Sequence, residues 1–115
     1  MQTNDLQKIA KTALDDLQAM NTTVIDVRPL TTITDLMIIC TGRSTRHIKS
    51  IADNLVASAK KNQVQDLHVE GGENSEWILV DMGDIVVHIM LASTRSFYNL
   101  EALWEPMGEL RVQEV

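Results

Sequence analysis

The sequence has very little cysteine, and this scarcity excludes whole classes of protein. A single cysteine, Cys40, stands among 115 residues, so an internal disulfide is excluded. One thiol also cannot supply a cysteine-based metal site by itself. Internal repeats and low-complexity tracts are absent as well. The composition is that of an ordinary globular domain, and a reducing cytoplasmic compartment is the expected setting.

Long apolar runs are also missing. No stretch approaches the roughly 20 residues that a membrane-spanning helix requires. The first residues, MQTNDL, are polar and lack the apolar segment of a signal peptide. We therefore expect a soluble, cytoplasmic protein without a membrane partner.

Positive charge is scarce in the second half of the chain. Residues 66–115 carry ten carboxylates against Arg95 and Arg111, a net charge of −8, whereas residues 43–61 are net +4. The whole chain is net −6. An acidic half is a poor match for a phosphate backbone and a better match for a basic protein surface. We expect little or no direct contact with nucleic acid.

The apolar pattern predicts one domain with an α/β fold. Helical spacing covers residues 4–20 and resumes after Ser44 and Thr45, whose hydroxyls suit a helix cap. Short β-branched or apolar runs at 23–27, 34–41 and 66–69 predict strands. A short helix follows residue 93. The order α-β-β-α-β-β-β-α predicts one mixed sheet of about five strands with helices mainly on one face. Residues 109–115 are expected to form a flexible tail.

Residues 77–90 predict a central hairpin with a two-residue turn at Met82 and Gly83. This turn sets Trp77 opposite His88. Alternation places only aliphatic residues on one face, namely Ile78, Val80, Ile85, Val87 and Ile89. The other face is mixed and carries Trp77, Leu79, Asp81, Asp84, Val86, His88 and Met90. That second face is either covered by the rest of the domain or offered to a partner.

Two features are typical of enzymes but also have simpler interpretations. Asp81 and Asp84, with Asp35 or Asp26, could hold a divalent metal for nucleotidyl transfer. The same two carboxylates bracket a tight turn, where Asp is common. Residues 42–44 could offer backbone N–H groups to an anion, but their single glycine favours ordinary helix capping. Convergence of three carboxylates near residues 42–44 would favour the enzyme.

The histidines and the cysteine favour structural roles. His47, His68 and His88 lie on separate predicted elements, so no metal or cofactor site is expected. His88 is expected to be a hydrogen-bonded member of the sheet face. Cys40 lies within an apolar strand, which favours a buried thiol over a nucleophile.

Four residues around the hairpin are candidates for a partner interface. Trp77, Met90, Arg95 and Tyr98 belong to the types enriched in interfaces. The alternative is that Trp77 and Tyr98 pack at the edge of the core, and periodicity does not decide between the two. Leu79, Asp81 and His88 join the candidates because they share the hairpin face of Trp77.

Several short segments also carry a family pattern, in order and with ordinary spacing along nearly the whole chain. They are DVRPLT at 26–31, TD at 34–35, CTGRSTRH at 40–47, VEG at 69–71, EWILVD at 76–81, GDIVVHI at 83–89, RSFYNLE at 95–101 and LW at 103–104. In these segments the chain resembles the ribosomal silencing factor family, also called RsfS, YbeB or Iojap-like proteins. After Thr34 and Asp35 the family commonly has an aromatic pair, where this chain has Leu36 and Met37. Met37 still offers an adaptable contact and is a further partner-binding candidate.

The resemblance implies a nucleotidyltransferase-like fold without its chemistry over residues 1–115, and therefore no enzyme and no cofactor. It implies binding to the large ribosomal subunit through ribosomal protein uL14. Such binding would block joining of the small subunit and lower translation when nutrients are scarce. The alternative is a metal-dependent nucleotidyltransferase-like enzyme that uses Asp81 or Asp84. An exposed apolar sheet face would also allow the free protein to form a homodimer.

Overall fold

The computed structural model describes residues 2–104 and 112–114, with side chains for residues 2–102. Its elements along the chain are α1 (Thr3–Asp16), β1 (Met20–Asp26), β2 (Leu36–Gly42), α2 (Thr45–Lys61), β3 (His68–Glu70), β4 (Trp77–Asp81), β5 (Ile85–Leu91), α3 (Ala92–Tyr98), α4 (Leu100–Trp104) and β6 (Val112–Glu114). The order agrees with the predicted one as far as α3 and adds α4 and β6.

All strands belong to one mixed sheet with the order β3-β4-β5-β2-β1-β6. The central pair, β2 and β5, is parallel, and every other pair is antiparallel. The predicted mixed sheet is therefore confirmed, with one strand more than expected. That strand corrects part of the predicted tail: Val112–Glu114 pair with β1, and the remaining tail residues lie outside the described residues.

The larger core lies between one sheet face and the helices α1 and α2. The apolar stripes of both helices are buried, including Leu6 and Leu14 on α1 and Ile48 and Leu55 on α2. They pack against Val24, Leu36, Ile38, Cys40, Ile78, Val80, Ile85, Val87 and Ile89 of the sheet. The prediction of an aliphatic hairpin face under helices is confirmed.

A smaller cluster lies on the opposite sheet face. Its fully buried members are Ile25, Val27, Ile39 and Met90. Met37, Trp77 and Leu100 pack against them and are only partly buried. The second face is thus only partly covered within the described part of the chain, and it is here that a partner surface can exist.

The hairpin between β4 and β5 turns one residue later than predicted. Trp77 pairs with Met90 and Leu79 with His88, so Trp77 is not opposite His88. The backbone N–H of Met82 donates to Ile85 O at 2.8 Å, which makes Gly83 and Asp84 the turn residues. Gly83 has φ +88°, a conformation that favours glycine. The correction moves each partner by two positions, so every side chain stays on its predicted face.

Both long helices end in the same hydrogen-bond arrangement. After α1, Gln18 N–H donates to Asp15 O and Ala19 N–H donates to Leu14 O. After α2, Gln63 and Val64 repeat the arrangement, and Gln18 and Gln63 have φ values of +60° and +61°. This is the Schellman motif, in which a left-handed residue reverses the chain. It ends α1 at Asp16, before the predicted end at residue 20, and directs Met20 into β1.

The predicted last helix is divided in two. Asn99 adopts a left-handed conformation (φ 48°, ψ 52°) between α3 and α4. Its N–H donates to Arg95 O at 2.8 Å and closes α3. The change of direction separates α3 from α4, and Leu100 of α4 packs against the second-face cluster.

Candidate partner-binding surface

Three of the four aromatic residues of the chain gather where β4 begins and α3 ends. We call Trp77, Phe97 and Tyr98 the aromatic surface. The ring centroid of Tyr98 lies 5.0 Å from that of Trp77 at an interplanar angle of 51°. It lies 5.1 Å from that of Phe97, edge-on at 80°. Tilted and edge-on arrangements are the favourable ones for aromatic pairs, so the three rings stabilise one another.

The aromatic surface is accessible to solvent. Phe97 is 82% exposed and Tyr98 is 54% exposed, while Trp77 is half-buried beneath them. An open groove beside the rings is lined by Ser75, Glu76, Ser93 and Thr94. Among the described residues the other exposed large apolar side chains, Ile33 and Val69, lie apart from this surface and from each other. Clustered exposed apolar side chains are typical of interaction sites, and single ones are not.

A hydrogen bond to His88 fixes the orientation of Trp77. The indole Nε1–H donates to His88 Nδ1 at 3.0 Å, which places the imidazole proton on Nε2. His88 is buried, and loss of solvation lowers its pKa to about 4, so the imidazole is neutral at pH 7. The predicted hydrogen-bonded role of His88 is confirmed. The partner of this hydrogen bond is Trp77 itself, the central candidate for the interface.

A strip of half-buried apolar side chains continues from the aromatic surface across the second sheet face. It consists of Leu79 on β4, Val86 on β5 and Met37 on β2. The strand register places Val86 next to both Asp81 and Met37. Met37 packs against the second-face cluster. The strip and the aromatic surface together form one continuous apolar area.

Carboxylates line the β3–β4 edge of this area. Glu70 lies opposite Leu79 in the ladder, and its side chain is 69% exposed beside His68. Glu76, just before β4, is exposed and lines the groove beside the rings, whereas Glu73 lies near Arg46 and Lys49 of α2. Asp81 ends β4, and its Oδ1 accepts the N–H of Gly83 at 2.8 Å. An apolar centre with an acidic edge is complementary to an apolar patch on a basic protein.

Three predicted interface residues lie largely inside the molecule, and one of them is His88, which is buried under Trp77. Met90 is fully buried beneath Trp77 in the second-face cluster. The side chain of Arg95 is only 14% exposed, and its guanidinium donates to intramolecular acceptors. In these positions the three residues support the surface from below. Trp77, Leu79, Asp81, Tyr98 and Met37 have side-chain area that a partner could contact.

Phe97 was missing from the sequence-based candidates. The sequence pattern placed it in a single short last helix, together with Tyr98 and Leu100, without a role at the interface. Successive helical residues point about 100° apart, so two adjacent aromatic residues cannot both face a narrow core. The Phe-Tyr pair was therefore the available signal for an exposed ring. Phe97 is the more exposed of the two.

The carboxylates of the alternative enzyme do not converge on residues 42–44. Asp35 lies just before β2 and Asp84 pairs with it through a backbone hydrogen bond, whereas Gly42 is the last residue of β2. Seven residues of strand separate these ends by about 20 Å. Asp35 Oδ2 accepts the hydroxyl of Thr3 at 2.6 Å, and Asp26 is paired with Arg28. Within residues 2–104 and 112–114, no three His, Cys, Asp or Glu side chains are grouped as metal ligands.

The junction at residues 42–44 is occupied by its own hydrogen bonds. Ser44 caps α2 and accepts the N–H of His47 at 3.1 Å, which confirms the predicted cap. His47 Nδ1 accepts the N–H of Arg43, and its Nε2 donates to Leu17 O at 2.6 Å. His47 thus links the start of α2 to the end of α1.

The predicted structural role of Cys40 is also confirmed, because its side chain is fully buried. Burial raises the pKa of its thiol to about 12.

These observations define a single-sheet α/β domain that presents an acidic-edged aromatic surface on a partly uncovered sheet face. No described helix is long and apolar enough to cross a membrane.

Comparison with known proteins identifies the family. A model of the family described as ribosomal silencing factor during starvation matches residues 1–115, so the chain belongs to the ribosomal silencing factor family. It is 44% identical over 91 residues to the ribosomal silencing factor of Haemophilus influenzae, covering 79% of this chain and 89% of that protein. It is 36% identical over 112 residues to that of Bacillus subtilis, covering 96% and 95%. A crystal structure of a Chromobacterium violaceum protein superposes with a TM-score of 0.86 at 39% identity, covering 90% and 87%.

Proposed function

We propose that this protein inhibits translation by binding the large ribosomal subunit through ribosomal protein uL14. Bound there, it blocks joining of the small subunit, and its cellular role is to lower translation when nutrients are limited. The proposal is supported by membership of the ribosomal silencing factor family and by the resemblance of its motifs. The single structural observation that carries it is the exposed aromatic surface. The proposed activity is inhibition by occupancy, without a catalysed reaction.

The aromatic surface has the properties of a binding anchor. Tyr and Trp are enriched among the residues that carry most of the binding energy of an interface. The rings are held by contacts with one another, and Trp77 is held by His88. A surface ordered before binding loses less conformational entropy when the complex forms. Phe97 and Tyr98 are therefore expected to contact uL14 directly, with Leu79, Asp81 and Met37 around them.

The size of the domain is sufficient for steric blockade. Its principal extents are 35 × 34 × 22 Å. Contacting residues of two joined subunits lie about 4 Å apart. A domain with a smallest extent of 22 Å therefore keeps the two ribosomal subunits from touching wherever it lies between them.

The charge distribution favours a protein partner over RNA. Glu70 and Glu76 lie beside the apolar area, where they would meet basic side chains of a ribosomal protein and repel bare phosphate. We therefore propose docking on uL14 with little or no direct nucleic-acid contact.

The same ribosomal role supports a cytoplasmic location. The exposed apolar area also supports a homodimer of the free protein, which sedimentation of the purified chain would detect.

Ribosome co-sedimentation tests this function directly. Purified protein is mixed with large subunits, small subunits are added, and the mixture is resolved on a sucrose gradient. We expect the protein to travel with the large subunit and to reduce the yield of joined ribosomes. Phe97→Ala should weaken binding by roughly 2 kcal/mol, about 30-fold.

Ile33→Ala is the matched control. Ile33 is 88% exposed, comparable to Phe97, but it lies in the loop before β2, at the other end of the sheet. Its replacement should leave binding and subunit joining unchanged. Normal binding by Phe97→Ala and Trp77→Ala would contradict the assignment of the surface. Failure of the unmodified protein to bind large subunits would contradict the function.

A further inference from the structure

The helix that carries Phe97 and Tyr98 has no hydrophobic anchor of its own. All seven residues of α3 are described, and none of them is buried. Its first residue is preceded by Leu91, which provides no side-chain cap. A helix of this length is unstable by itself in water, because one or two turns do not repay the entropy of ordering the backbone. Apart from the ring contact of Tyr98 with Trp77, polar contacts must therefore hold α3 in place.

Arg95 supplies these contacts. Its Nη1 donates to the carbonyl oxygen of Asn21 at 2.6 Å and to Thr41 Oγ1 at 3.0 Å. Its Nη2 donates to Thr23 Oγ1 at 3.0 Å, and its Nε donates to Glu101 Oε1 at 2.8 Å. One side chain thus connects α3 to β1, β2 and α4. The planar guanidinium has five N–H donors in a fixed arrangement, and the four contacts use all three of its nitrogens.

The acceptors lie beneath the surface. Thr23 is 4% exposed and Thr41 is 3% exposed, and they come from neighbouring strands on the second sheet face. Because Phe97 and Tyr98 follow Arg95 by two and three residues, fixing Arg95 on the sheet fixes the positions of both rings. Without it, α3 would be attached only through Leu91 and Leu100 at its two ends and through the ring contact of Tyr98 with Trp77.

We propose that Arg95 is a positioning residue that holds Phe97 and Tyr98 against Trp77 and does not itself contact the partner. This inference rests on the proposed function of the aromatic surface. A loose α3 would have to be ordered on binding, and that ordering lowers affinity and slows association. Arg95 therefore sets how well the aromatic surface is organised in the free protein. The sequence alone had suggested a direct contact with the partner.

The decisive variants change Arg95's acceptors, because no partner can reach them. The double variant Thr23→Val, Thr41→Val keeps side-chain shape and removes two hydroxyl acceptors. We expect its affinity for large subunits to fall about tenfold, as for loss of preorganisation of two aromatic side chains. Thr22→Val is the matched control: Thr22 is adjacent, 3% exposed and makes no contact with Arg95, so its replacement should leave affinity unchanged. Thermal melts of each variant verify folding, and the single variant Thr41→Val serves if the double variant does not fold.

Two further variants separate positioning from contact. Arg95→Lys should not restore binding, since an ammonium on a flexible stem cannot span the acceptors on two strands. In a double-mutant cycle, the effects of Arg95→Ala and Tyr98→Ala on the free energy of binding to large subunits should be strongly non-additive, because both changes disorder the same rings. The effects of Arg95→Ala and Leu79→Ala on this free energy should be additive. Normal binding by the Thr23, Thr41 double variant alongside weak binding by Arg95→Ala would show that Arg95 touches the partner and would overturn the proposal.

Hydrogen exchange of the free protein keeps this test independent of the ribosome. Arg95→Ala and the double threonine variant should accelerate amide exchange in residues 92–102 by tenfold or more, a loss of local protection, with exchange in α2 unchanged. Unchanged exchange in residues 92–102 would overturn the positioning role even if the protein binds ribosomes. Faster exchange without any ribosome binding by the unmodified protein would leave the positioning role intact and reject the proposed function instead.

Discussion

At the scale of single residues, Trp77 links the core of the domain to its exposed surface. Its indole donates inward to His88, and its ring meets Tyr98 on the outer side. The sequence left two interpretations open, an interface residue and an edge-of-core residue. The structure shows that the two are compatible, because one face of a half-buried ring can pack inward while the other remains available.

Replacement of Trp77 separates binding from stability. Trp77→Ala should weaken binding to large subunits by roughly 2 kcal/mol or more, as for an aromatic anchor. The fold should survive, because the larger core under α1 and α2 does not include Trp77. Affinity and urea unfolding of the same variant measure both effects. Loss of cooperative unfolding would make Trp77 a core residue and remove it from the interface.

His88 should make stability depend on pH below neutrality. Its folded pKa of about 4 lies below the ordinary value of 6.5, so between these values the unfolded chain binds a proton that the folded chain does not. Stability is therefore intact above pH 6.5 and falls as the pH decreases toward 4. The loss between pH 7 and pH 5 should be roughly 2 kcal/mol. Urea unfolding at both pH values checks it, with His88→Asn, which does not titrate, as the control. An equal loss in that variant would assign the effect to other groups.

At the scale of secondary-structure elements, amphipathic periodicity predicted the helices and strands well. The second-face assignments of Trp77, Leu79 and His88 survived a wrong turn position, because a two-residue change of partner preserves the pleat alternation. Helix ends were harder to predict. Gln18 ends α1 in a conformation for which glycine is the usual signal, so no stop was visible in the sequence before residue 20.

The Phe97-Tyr98 pair indicates that one of its two rings is exposed, but helical spacing does not say which one. The break at Asn99 separates α3 from α4, and the sequence signal for that break is one asparagine in an apolar segment. The role of Arg95 was equally hidden, because its acceptors Asn21, Thr23 and Thr41 are more than 50 residues away in the chain. Long-range polar contacts of this kind leave no periodic pattern in a single sequence.

Substitution of Gln63 tests the Schellman motif that ends α2. Gln63→Gly should stabilise the protein by about 0.5–1 kcal/mol, because glycine adopts the left-handed conformation without a Cβ penalty. Gln65→Gly, two residues further along and also exposed, is the matched control and should be neutral or destabilising, since Gln65 has no positive φ. The midpoints of urea unfolding of both variants measure these changes in stability. Destabilisation by Gln63→Gly would contradict the described end of α2.

At the scale of the whole molecule, charge separates the two sides of the sheet. α2 covers one face, and Arg43 just before it and Arg46 in its first turn are exposed. The aromatic surface and its acidic edge belong to the other face and to the loop before β4. The relevant electrostatic property is therefore the local charge beside the aromatic surface, and the net charge of −6 describes it only coarsely.

Neutralising the acidic edge should slow association with the large subunit. Glu70→Gln with Glu76→Gln removes two negative charges from the acidic edge beside Leu79 and Trp77, and association should slow several-fold at low salt. The difference from the unmodified protein should vanish as salt rises, because screening removes long-range steering. Dissociation should change less, since apolar contacts hold the complex. Asp15→Asn with Asp16→Asn on α1 makes the same change of net charge and should have little effect.

Charge reversal on α2 distinguishes the protein partner from RNA. Arg46→Glu should be nearly silent if the aromatic surface makes the principal contact with uL14. If phosphates of ribosomal RNA were the principal partner, the same change would place a carboxylate against them and cripple binding. Docking on uL14 and docking on RNA are both salt-sensitive, so salt dependence alone does not distinguish the two. The association rate of Arg46→Glu with large subunits does: a decrease of tenfold or more would move the principal contact from the aromatic surface to the start of α2.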